Sequence, residues 1–280
     1  MRDTKRLKDV QRAYAEEIRV AGPVRKNQRI VEAYRDIRRD RFLPPGPWTL
    51  HGTVRWRTPD ADPAWVHHNV LLSLDKGKGI NNGSPSFWAY LFDQLDIAPG
   101  ERIFQVGAGT GYYTAILAEL VGKRGAVKAV EYEKPLAARA RANLAALEQV
   151  ELVQGDAAAV DPGRNVDVIV AFTGGTHIPD LWLDRLAPGG RLLMPLIDDN
   201  SWGFMLKVVR RREGFQARAL SHASFYLAKG FRTTSEARAL KKALQKLKGK
   251  LPKLSALHRG AVPHDRRKDA FYVSRTFWLA

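Results

Sequence analysis

The sequence has 280 residues, of which 45% are apolar, so it is long enough for one large domain with appendages and an ordinary buried core. It contains no cysteine, which excludes disulfides, thiolate metal sites and cysteine nucleophiles. No apolar stretch is long enough to span a membrane, and the charged N-terminal segment lacks the apolar core of a signal peptide. We therefore expect a soluble protein in the reducing cytoplasm.

The formal net charge of +17 is unevenly distributed along the chain. Residues 1–50 carry 13 lysines and arginines against 7 acidic residues, and residues 231–280 carry 13 against 3. The segment between them is close to neutral. This asymmetry favours an anionic partner at the two ends, such as a nucleic acid, an acidic protein or a membrane surface, or else a solvated basic surface.

The N-terminal part of the chain is predicted to be helical and then irregular. Apolar residues spaced among charges predict helices within residues 5–42, interrupted at Gly22–Pro23, because this pair cannot continue a helix. Residues 48–83 are predicted to form loops and short strands, which end in the glycine-rich segment GKGINNG at 77–83.

From residue 85 onward, short apolar strands alternate with amphipathic helices, which predicts a mostly parallel sheet with helices on both faces. The predicted strands are 102–106, 126–130, 150–154, 166–171 and 191–195, and the predicted helices are 86–95, 113–121, 135–147 and 179–186. Residues 203–210 and 222–227 are predicted to add antiparallel strands. Residues 235–251 are predicted to form an amphipathic helix whose leucines dock against the rest of the protein.

The strongest local signal is the sequence IFQVGAGTGYYTA at 103–115. An apolar strand runs into Gly107, Ala108 and Gly109, and a helix is predicted to begin shortly after Gly111. Glycines at such positions allow a tight turn and the close approach of a ligand to the backbone, while the start of a helix offers unpaired N–H groups. The segment therefore predicts a cofactor-binding loop.

Acidic residues at the ends of the next two strands indicate which cofactor this loop binds. Glu131 lies 20 residues beyond the last glycine, where a carboxylate can accept hydrogen bonds from both hydroxyls of a ribose. Gly155, Asp156 and Ala157 follow the third strand, where an acid can accept the adenine amino group. Tyr112 replaces the sixth-position glycine of a dinucleotide site, so the pattern favours S-adenosylmethionine over NAD.

Further segments fit one known pattern. They are RIVEAYRDIRRDRFLP at 29–44, Pro85-Ser-Phe-Trp-Ala89, GERIFQVGAGTGYYTAILAELVG at 100–122 and LAPGGRLLMPL at 186–196. Together they resemble the protein-L-isoaspartate O-methyltransferase family over residues 5–230. The resemblance implies an α/β, Rossmann-like class I methyltransferase with a mostly parallel seven-stranded sheet, an N-terminal helical addition and a basic C-terminal extension. It also implies S-adenosylmethionine as cofactor, held by the glycine loop, Glu131 and Asp156.

The sequence departs from this family at two places. The family's loop before the Pro-x-x-x-Ala helix reads Gly-x-Gly-Gln-Thr-Ile-Ser, with the serine at the methyl acceptor, whereas Gly83 occupies the serine position here. Asn81, Asn82 or Ser84 could supply the missing hydrogen bond, so we expect this loop to bind the acceptor. Gln105 stands where the family usually has an acid, and its amide can still hydrogen-bond although it lacks the negative charge.

Other residues are weaker candidates. His177 follows the fourth strand, where such folds place residues on the acceptor side. Trp56, Trp65 and Trp88 could line an acceptor pocket or belong to the core. The adjacent pair His67–His68 faces opposite ways if it lies on a strand, so we expect no metal site.

We predict methyl transfer from S-adenosylmethionine to a carboxylate on a protein or peptide, with repair of isoaspartyl damage as the usual task of the family. Two alternatives remain open: a different acceptor, such as a peptide natural-product precursor or an RNA, and a non-catalytic cofactor-binding protein. The predicted regions are an N-terminal helical region with the acceptor loop at 1–84, a cofactor-binding domain at 85–230 and a basic extension at 231–280. No oligomeric state is predicted.

Overall fold

The structure is a computed structural model that describes residues 2–51, 56–75 and 77–280. The parts of the predicted irregular region at 52–55 and 76 lie outside the described residues. The chain divides into two compact units. The first unit comprises Met1–Glu101, Ala108–Val127 and Glu133–Leu152, and the second comprises Arg102–Gly107, Lys128–Tyr132 and Val153–Ala280.

The first unit begins with two helices, as predicted. Helix α1 spans Arg2–Ala21 and helix α2 spans Arg29–Asp36. The break lies at the predicted Gly22–Pro23 pair, where the Gly22 N–H closes α1 on the Ile18 carbonyl at 2.8 Å. Helix α2 buries the apolar stripe that its sequence predicts, namely Ile30, Val31, Ala33 and Tyr34.

The other elements of the first unit are short strands and more helices. The strands are β1 (Thr49–His51), β2 (Trp56–Arg57), β3 (Leu71–Asp75) and β4 (Ile80–Asn81), and they pair in the order β2-β1-β3-β4. The helices are α3 (Pro85–Leu95), α4 (Tyr112–Val121) and α5 (Lys134–Leu144). Nine of the ten residues of α4 are buried, which explains why this helix is apolar on all sides.

The second unit contains most of a ten-stranded sheet, and the first residues of two strands of this sheet, 126–127 and 150–152, are assigned to the first unit. Its strands are β5 (Arg102–Val106), β6 (Ala126–Glu131), β7 (Val150–Gln154), β8 (Val166–Ala171), β9 (Leu186–Ile197), β10 (Trp202–Arg210), β11 (Phe215–Ser224), β12 (Ala256–Arg259), β13 (Tyr272–Val273) and β14 (Phe277–Leu279). They follow the order β13-β14-β12-β11-β10-β9-β8-β5-β6-β7. Strands β5, β8 and β9 run parallel, and β10 begins the antiparallel part.

The class of fold is the one predicted, but the sheet is larger. Strands β12, β14 and β13 come from the C-terminal extension and pair antiparallel beyond β11, so the sheet has ten strands rather than seven. Helix α6 (Asp180–Arg185) and helix α7 (Thr234–Lys246) complete the unit. No helix of the described residues is long and apolar enough to cross a membrane.

Several predicted bounds were wrong. Strand β11 spans Phe215–Ser224 rather than 222–227, because a tight turn closed by the Arg211 N–H on the Gly214 carbonyl pairs it with the whole of β10. Helix α7 stops at Lys246 rather than 251, where the next residues turn left-handed, with φ of 48° at Lys248. The predicted docking of its leucines is confirmed, since Leu240 is buried in the core of the second unit.

Candidate active site

In the second unit, the carboxyl ends of three neighbouring strands are hydrogen-bonded to one another. The Gly107 N–H donates to the Val130 carbonyl at 2.8 Å, and the Phe172 N–H donates to the Val106 carbonyl at 2.8 Å. The end of β5 is therefore fixed between the ends of β6 and β8. In doubly wound sheets this edge is where ligands bind.

Gln105, the residue before the end of β5, is a fully buried side chain with unused hydrogen-bonding capacity. Neither its Nε2 nor its Oε1 has a hydrogen-bond partner among the described residues. A buried polar group left unpaired costs about 1–3 kcal/mol, so such a side chain indicates a polar ligand. Both polar atoms of this amide are therefore available for the hydrogen bonds that the sequence predicts for Gln105.

The predicted ribose and adenine residues lie at adjacent strand ends. The Gly155 N–H donates to the Glu131 carbonyl at 3.0 Å, which places the end of β7 beside the end of β6. The side chain of Glu131 is buried. Asp156 Oδ1 accepts the Ala158 N–H at 2.9 Å, and the carbonyl of Ala157 accepts the indole N–H of Trp182 at 3.2 Å. The turn that carries Asp156 is thus held in one conformation.

The remainder of the glycine loop belongs to the first unit. The Gly111 N–H donates to the Ala108 carbonyl at 3.0 Å, and Gly111 then begins helix α4 with a φ of 97°. A Cβ at this position would lie 2.9 Å from the side chain of Leu144, so glycine is required by both conformation and space. As the N-cap of α4, Gly111 offers no side-chain cap to the first amides of the helix.

The predicted acceptor loop lies between β3 and α3 in the first unit. Asn81 Oδ1 accepts the Gly83 N–H at 2.8 Å, and the side chain of Lys78 contacts Glu133 at the start of α5. Asn82 is bonded twice to Leu72: its N–H donates to the Leu72 carbonyl, and its Oδ1 accepts the Leu72 N–H, both at 3.0 Å.

Because Oδ1 of Asn82 must face the Leu72 donor, its Nδ2 points away from that bond. This Nδ2 is buried and has no hydrogen-bond partner among the described residues. The hydroxyl of Ser73, in β3 opposite Asn81, is also buried without a partner in the same set of residues. One unpaired polar group therefore lies in the acceptor loop and another beside it, within one unit.

Gly83 cannot be exchanged for the family's serine without a local rearrangement. Its φ is 75°, and a Cβ there would lie 2.7 Å from Nε1 of the buried Trp88. The Tyr113 hydroxyl donates to the Gly83 carbonyl at 3.3 Å, which holds this conformation. Ser84 is the N-cap of α3, but its side chain makes no cap hydrogen bond.

Arg39, in a 3₁₀ turn that spans Arg39–Phe42, holds the segment that precedes β3. It is fully buried, and its guanidinium donates to the carbonyls of Val66 (3.0 Å), His68 (2.8 Å) and Val70 (2.7 Å). Burial of an arginine is tolerated because these carbonyls replace water as acceptors. Sequence reasoning missed this role, although Arg39 lies in the RDRFLP segment that carries part of the resemblance.

The other candidates lie in different environments. Trp56 and Trp65 are exposed, whereas Trp88 is buried against Gly83. His67 is buried and bonded to the Pro63 carbonyl, whereas His68 is exposed. The described residues contain no group of three or more His, Cys, Asp or Glu side chains that could hold a metal ion.

His177 is buried and bonded to Glu236, a residue that sequence reasoning missed. Its Nδ1 donates to Glu236 Oε2 at 2.9 Å. Burial by itself would raise the pKa of Glu236, but hydrogen bonds from His177, Thr233 and neighbouring donors lower it to about 2. The sequence Thr233-Thr-Ser-Glu236 is a capping box, which predicts the start of a helix but not the histidine that the carboxylate meets.

The sheet, the glycine loop and the acidic strand ends together define the class I methyltransferases. The sequence profile of the protein-L-isoaspartate(D-aspartate) O-methyltransferase family matches residues 59–229. Protein-L-isoaspartate O-methyltransferase 2 of Rhodopseudomonas palustris is 32% identical over 199 residues, which cover 70% of this chain and 82% of the relative. The chain belongs to the protein-L-isoaspartate O-methyltransferase family, and it is an S-adenosylmethionine-dependent methyltransferase.

Solved structures agree on the fold. A protein-L-isoaspartate O-methyltransferase aligns with a TM-score of 0.67 at 18% identity, covering 95% of this chain and 87% of that chain. A Plasmodium falciparum protein crystallised in complex with S-adenosyl-L-homocysteine aligns with a TM-score of 0.61 at 16% identity, covering 78% of this chain and 98% of that chain. The family profile ends at residue 229, just before the basic C-terminal extension.

Proposed function

We propose that this protein methylates the free carboxylate of isoaspartyl residues in proteins or peptides. When bound, S-adenosylmethionine supplies a methyl group activated by the sulfonium. An acceptor carboxylate oxygen forms the new O–CH₃ bond as the S–CH₃ bond breaks in line, and the electron pair stays on sulfur. Since the carboxylate is already anionic, no strong general base is needed, and positioning supplies about 7–11 kcal/mol in well-oriented reactions.

On the cofactor side, we propose that the backbone of Gly107, Ala108, Gly109 and Gly111 cradles the cofactor. Glu131 then binds the ribose hydroxyls, and Asp156, between Gly155 and Ala157, accepts the adenine amino group. The unpaired amide of Gln105 supports this proposal, because a polar group of the cofactor can satisfy its buried Nε2 and Oε1. At this position the family's acid places a negative charge near the cationic cofactor, whereas Gln105 offers the cofactor neutral hydrogen bonds.

On the acceptor side, the buried and unpaired Nδ2 of Asn82 carries the proposal. We propose that it donates a hydrogen bond to the acceptor carboxylate, in place of the hydroxyl that is absent at Gly83. Asn81 shapes the loop by accepting a hydrogen bond from the Gly83 N–H. The hydroxyl of Ser84, which makes no cap hydrogen bond to α3, supplies a second donor. Donors aimed at the reacting group are worth about 2.7–4 kcal/mol each in other enzymes.

The decisive experiment is methyl transfer from labelled S-adenosylmethionine to an isoaspartyl peptide and to its normal-aspartyl twin. We expect label on the isoaspartyl peptide alone. Binding of the cofactor is measured by calorimetry in the same preparation. Cofactor binding without transfer of the labelled methyl group to the isoaspartyl peptide would contradict the proposed substrate.

The altered acceptor loop also favours a second candidate, a methyltransferase with a different acceptor such as an RNA or a peptide precursor. The observation in its favour is that a Cβ at position 83 would lie 2.7 Å from Nε1 of Trp88, so the family's serine does not fit there without a local rearrangement. The same assay separates the two candidates. Transfer of label to RNA or to another peptide, with none to the isoaspartyl peptide, is the outcome expected of the second.

We further propose an anionic partner for the two basic ends of the chain, residues 1–50 and the C-terminal extension at 231–280. Lys242, Lys246, Lys248 and Lys250 are exposed there. Binding to an RNA oligonucleotide should weaken steeply as salt rises. The reducing cytoplasm is the compartment that suits a chain without cysteine.

A further inference from the structure

A buried carboxylate in the second unit joins the loop after β8 to the C-terminal extension. Glu236, in the first turn of α7, accepts hydrogen bonds at Oε2 from Thr176 Oγ1 (2.8 Å), His177 Nδ1 (2.9 Å) and Thr233 Oγ1 (2.7 Å). Its Oε1 accepts the backbone N–H of Arg275 at 2.7 Å. We name Glu236 and these four donors the carboxylate latch.

Further bonds from the extension hold the same loop. The Tyr272 hydroxyl donates to the Thr176 carbonyl at 2.7 Å, and Thr276 Oγ1 donates to the Ile178 carbonyl at 2.9 Å. The Thr176 N–H donates to the Phe231 carbonyl at 3.0 Å. Thr176, Phe231 and Tyr272 are buried, so water does not replace the bonds that join them. All of these partners of the loop lie beyond residue 229, where the family profile ends.

The other end of the loop touches the strand ends described above. Phe172 donates its N–H to the Val106 carbonyl and packs against Gly107. Gly174 is paired with the segment after β11, donating to the Tyr226 carbonyl at 2.7 Å and accepting the Ala228 N–H at 2.8 Å. Residues 172–178 therefore run from the glycine loop to the carboxylate latch without leaving the second unit.

The strand order shows which ligand this loop can serve. The cofactor residues proposed above follow β5, β6 and β7, which are neighbours on one side of the sheet order. The loop at 172–178 follows β8, on the other side of β5. An acceptor must approach the methyl group from a side that the cofactor does not fill, and the end of β8 is such a side.

The chemistry of the carboxylate latch restricts loop 172–178 to one conformation. A buried carboxylate is stable only while several donors surround it, so departures of the loop from this geometry leave a charge unpaired. Hydrogen bonds to a charged group are also stronger and more directional than neutral ones.

We propose that Glu236 is a positioning residue that fixes loop 172–178 and thereby sets the affinity for the methyl acceptor, not for S-adenosylmethionine. The inference rests on the proposed function for its acceptor, an isoaspartyl peptide. It assigns the C-terminal extension a part in the reaction through a contact that the family profile does not include.

The test compares the full-length protein with Glu236→Gln, Tyr272→Phe and the control Arg238→Gln, an exposed position on the same helix. For Glu236→Gln we expect the KM for the isoaspartyl peptide to rise about tenfold, the effect of a lost hydrogen bond to a charged group. The Kd for S-adenosylmethionine should stay within about twofold, and amide exchange in residues 173–178 should speed up. Tyr272→Phe should give a smaller effect in the same direction, and it decides the matter if Glu236→Gln does not fold.

Two results would overturn the inference. An unchanged peptide KM in the folded variants would mean that the latch only stabilises the fold. An equal loss of affinity for S-adenosylmethionine would mean that the carboxylate latch does not act selectively on the acceptor. Failure of the proposed function is distinguishable, because the wild-type protein would then label no isoaspartyl peptide while amide exchange still reports on the latch.

Discussion

The glycine loop at 107–111 and the acceptor loop at 77–84 are both rich in glycine, yet they are built differently. In the first loop, Gly111 opens a helix without a side-chain cap, and we propose that this loop binds the cofactor through its backbone. In the acceptor loop, Asn82 offers a side-chain amide, and Trp88 fills the space that a side chain at Gly83 would need. A backbone site requires glycines at a fixed spacing, which a single sequence displays, whereas a side-chain site depends on which donors the packing leaves unpaired.

The largest expected effect tests the cofactor side of this comparison. Glu131→Ala should weaken S-adenosylmethionine binding by about 100-fold or more, because two hydrogen bonds to a charged group are worth about 3 kcal/mol or more together. Calorimetry measures the Kd, with the exposed Glu148→Ala as control. Unaltered cofactor affinity in Glu131→Ala would remove the ribose role, and unaltered function in the cell would favour a non-catalytic scaffold.

The next effect tests the acceptor side. Asn82→Asp keeps the acceptor for the Leu72 N–H but replaces the unpaired donor by a negative oxygen. We expect kcat/KM for the isoaspartyl peptide to fall about 30-fold, since a donor to a carboxylate becomes a repulsive charge. Cofactor Kd should not change. Asn165→Asp, on an exposed turn, is the control for the added charge. Equal kcat/KM in the Asn82 variant and wild type would exclude Asn82 from acceptor binding.

The third effect is the pH dependence of stability that Glu236 confers, since this carboxylate holds loop 172–178 through side-chain hydrogen bonds. The folded-state pKa of about 2 lies below the ordinary value of 4.5, so ionised Glu236 contributes stability above pH 4.5, which is lost as the pH falls toward 2. Between pH 5 and pH 3, wild type should lose about 2 kcal/mol more unfolding free energy than Glu236→Gln. Urea unfolding at both pH values measures this, and identical losses would contradict the pKa direction.

The smallest effect tests whether the family's serine can be restored. Gly83→Ser should destabilise the protein by about 1–2 kcal/mol, from left-handed backbone strain and the collision with Trp88. It should not raise kcat/KM for the isoaspartyl peptide. Gly79→Ser is the matched control, because its φ is 70° but its Cβ would meet nothing within 4 Å. A gain in activity for Gly83→Ser would show that the loop rearranges easily.

Much of the fold was predictable because its signals are local. The strands at 102–106, 150–154 and 166–171 have the predicted bounds, since runs of apolar residues report burial in a sheet. The three strands of the extension were missed. They are short, and their pairing with β11 depends on contacts far along the chain, which no periodicity reports.

The sequence by itself determined the class of protein, because backbone turns and strand ends need particular residues at particular spacings, and it predicted a cofactor loop and an acceptor loop. Only the tertiary structure decided which polar groups there remain unpaired, that Trp88 fills the space beside Gly83, and that Glu236 meets His177. These two contacts join residues 5 and 59 positions apart in the chain. Their partners are chosen by packing rather than by local pattern.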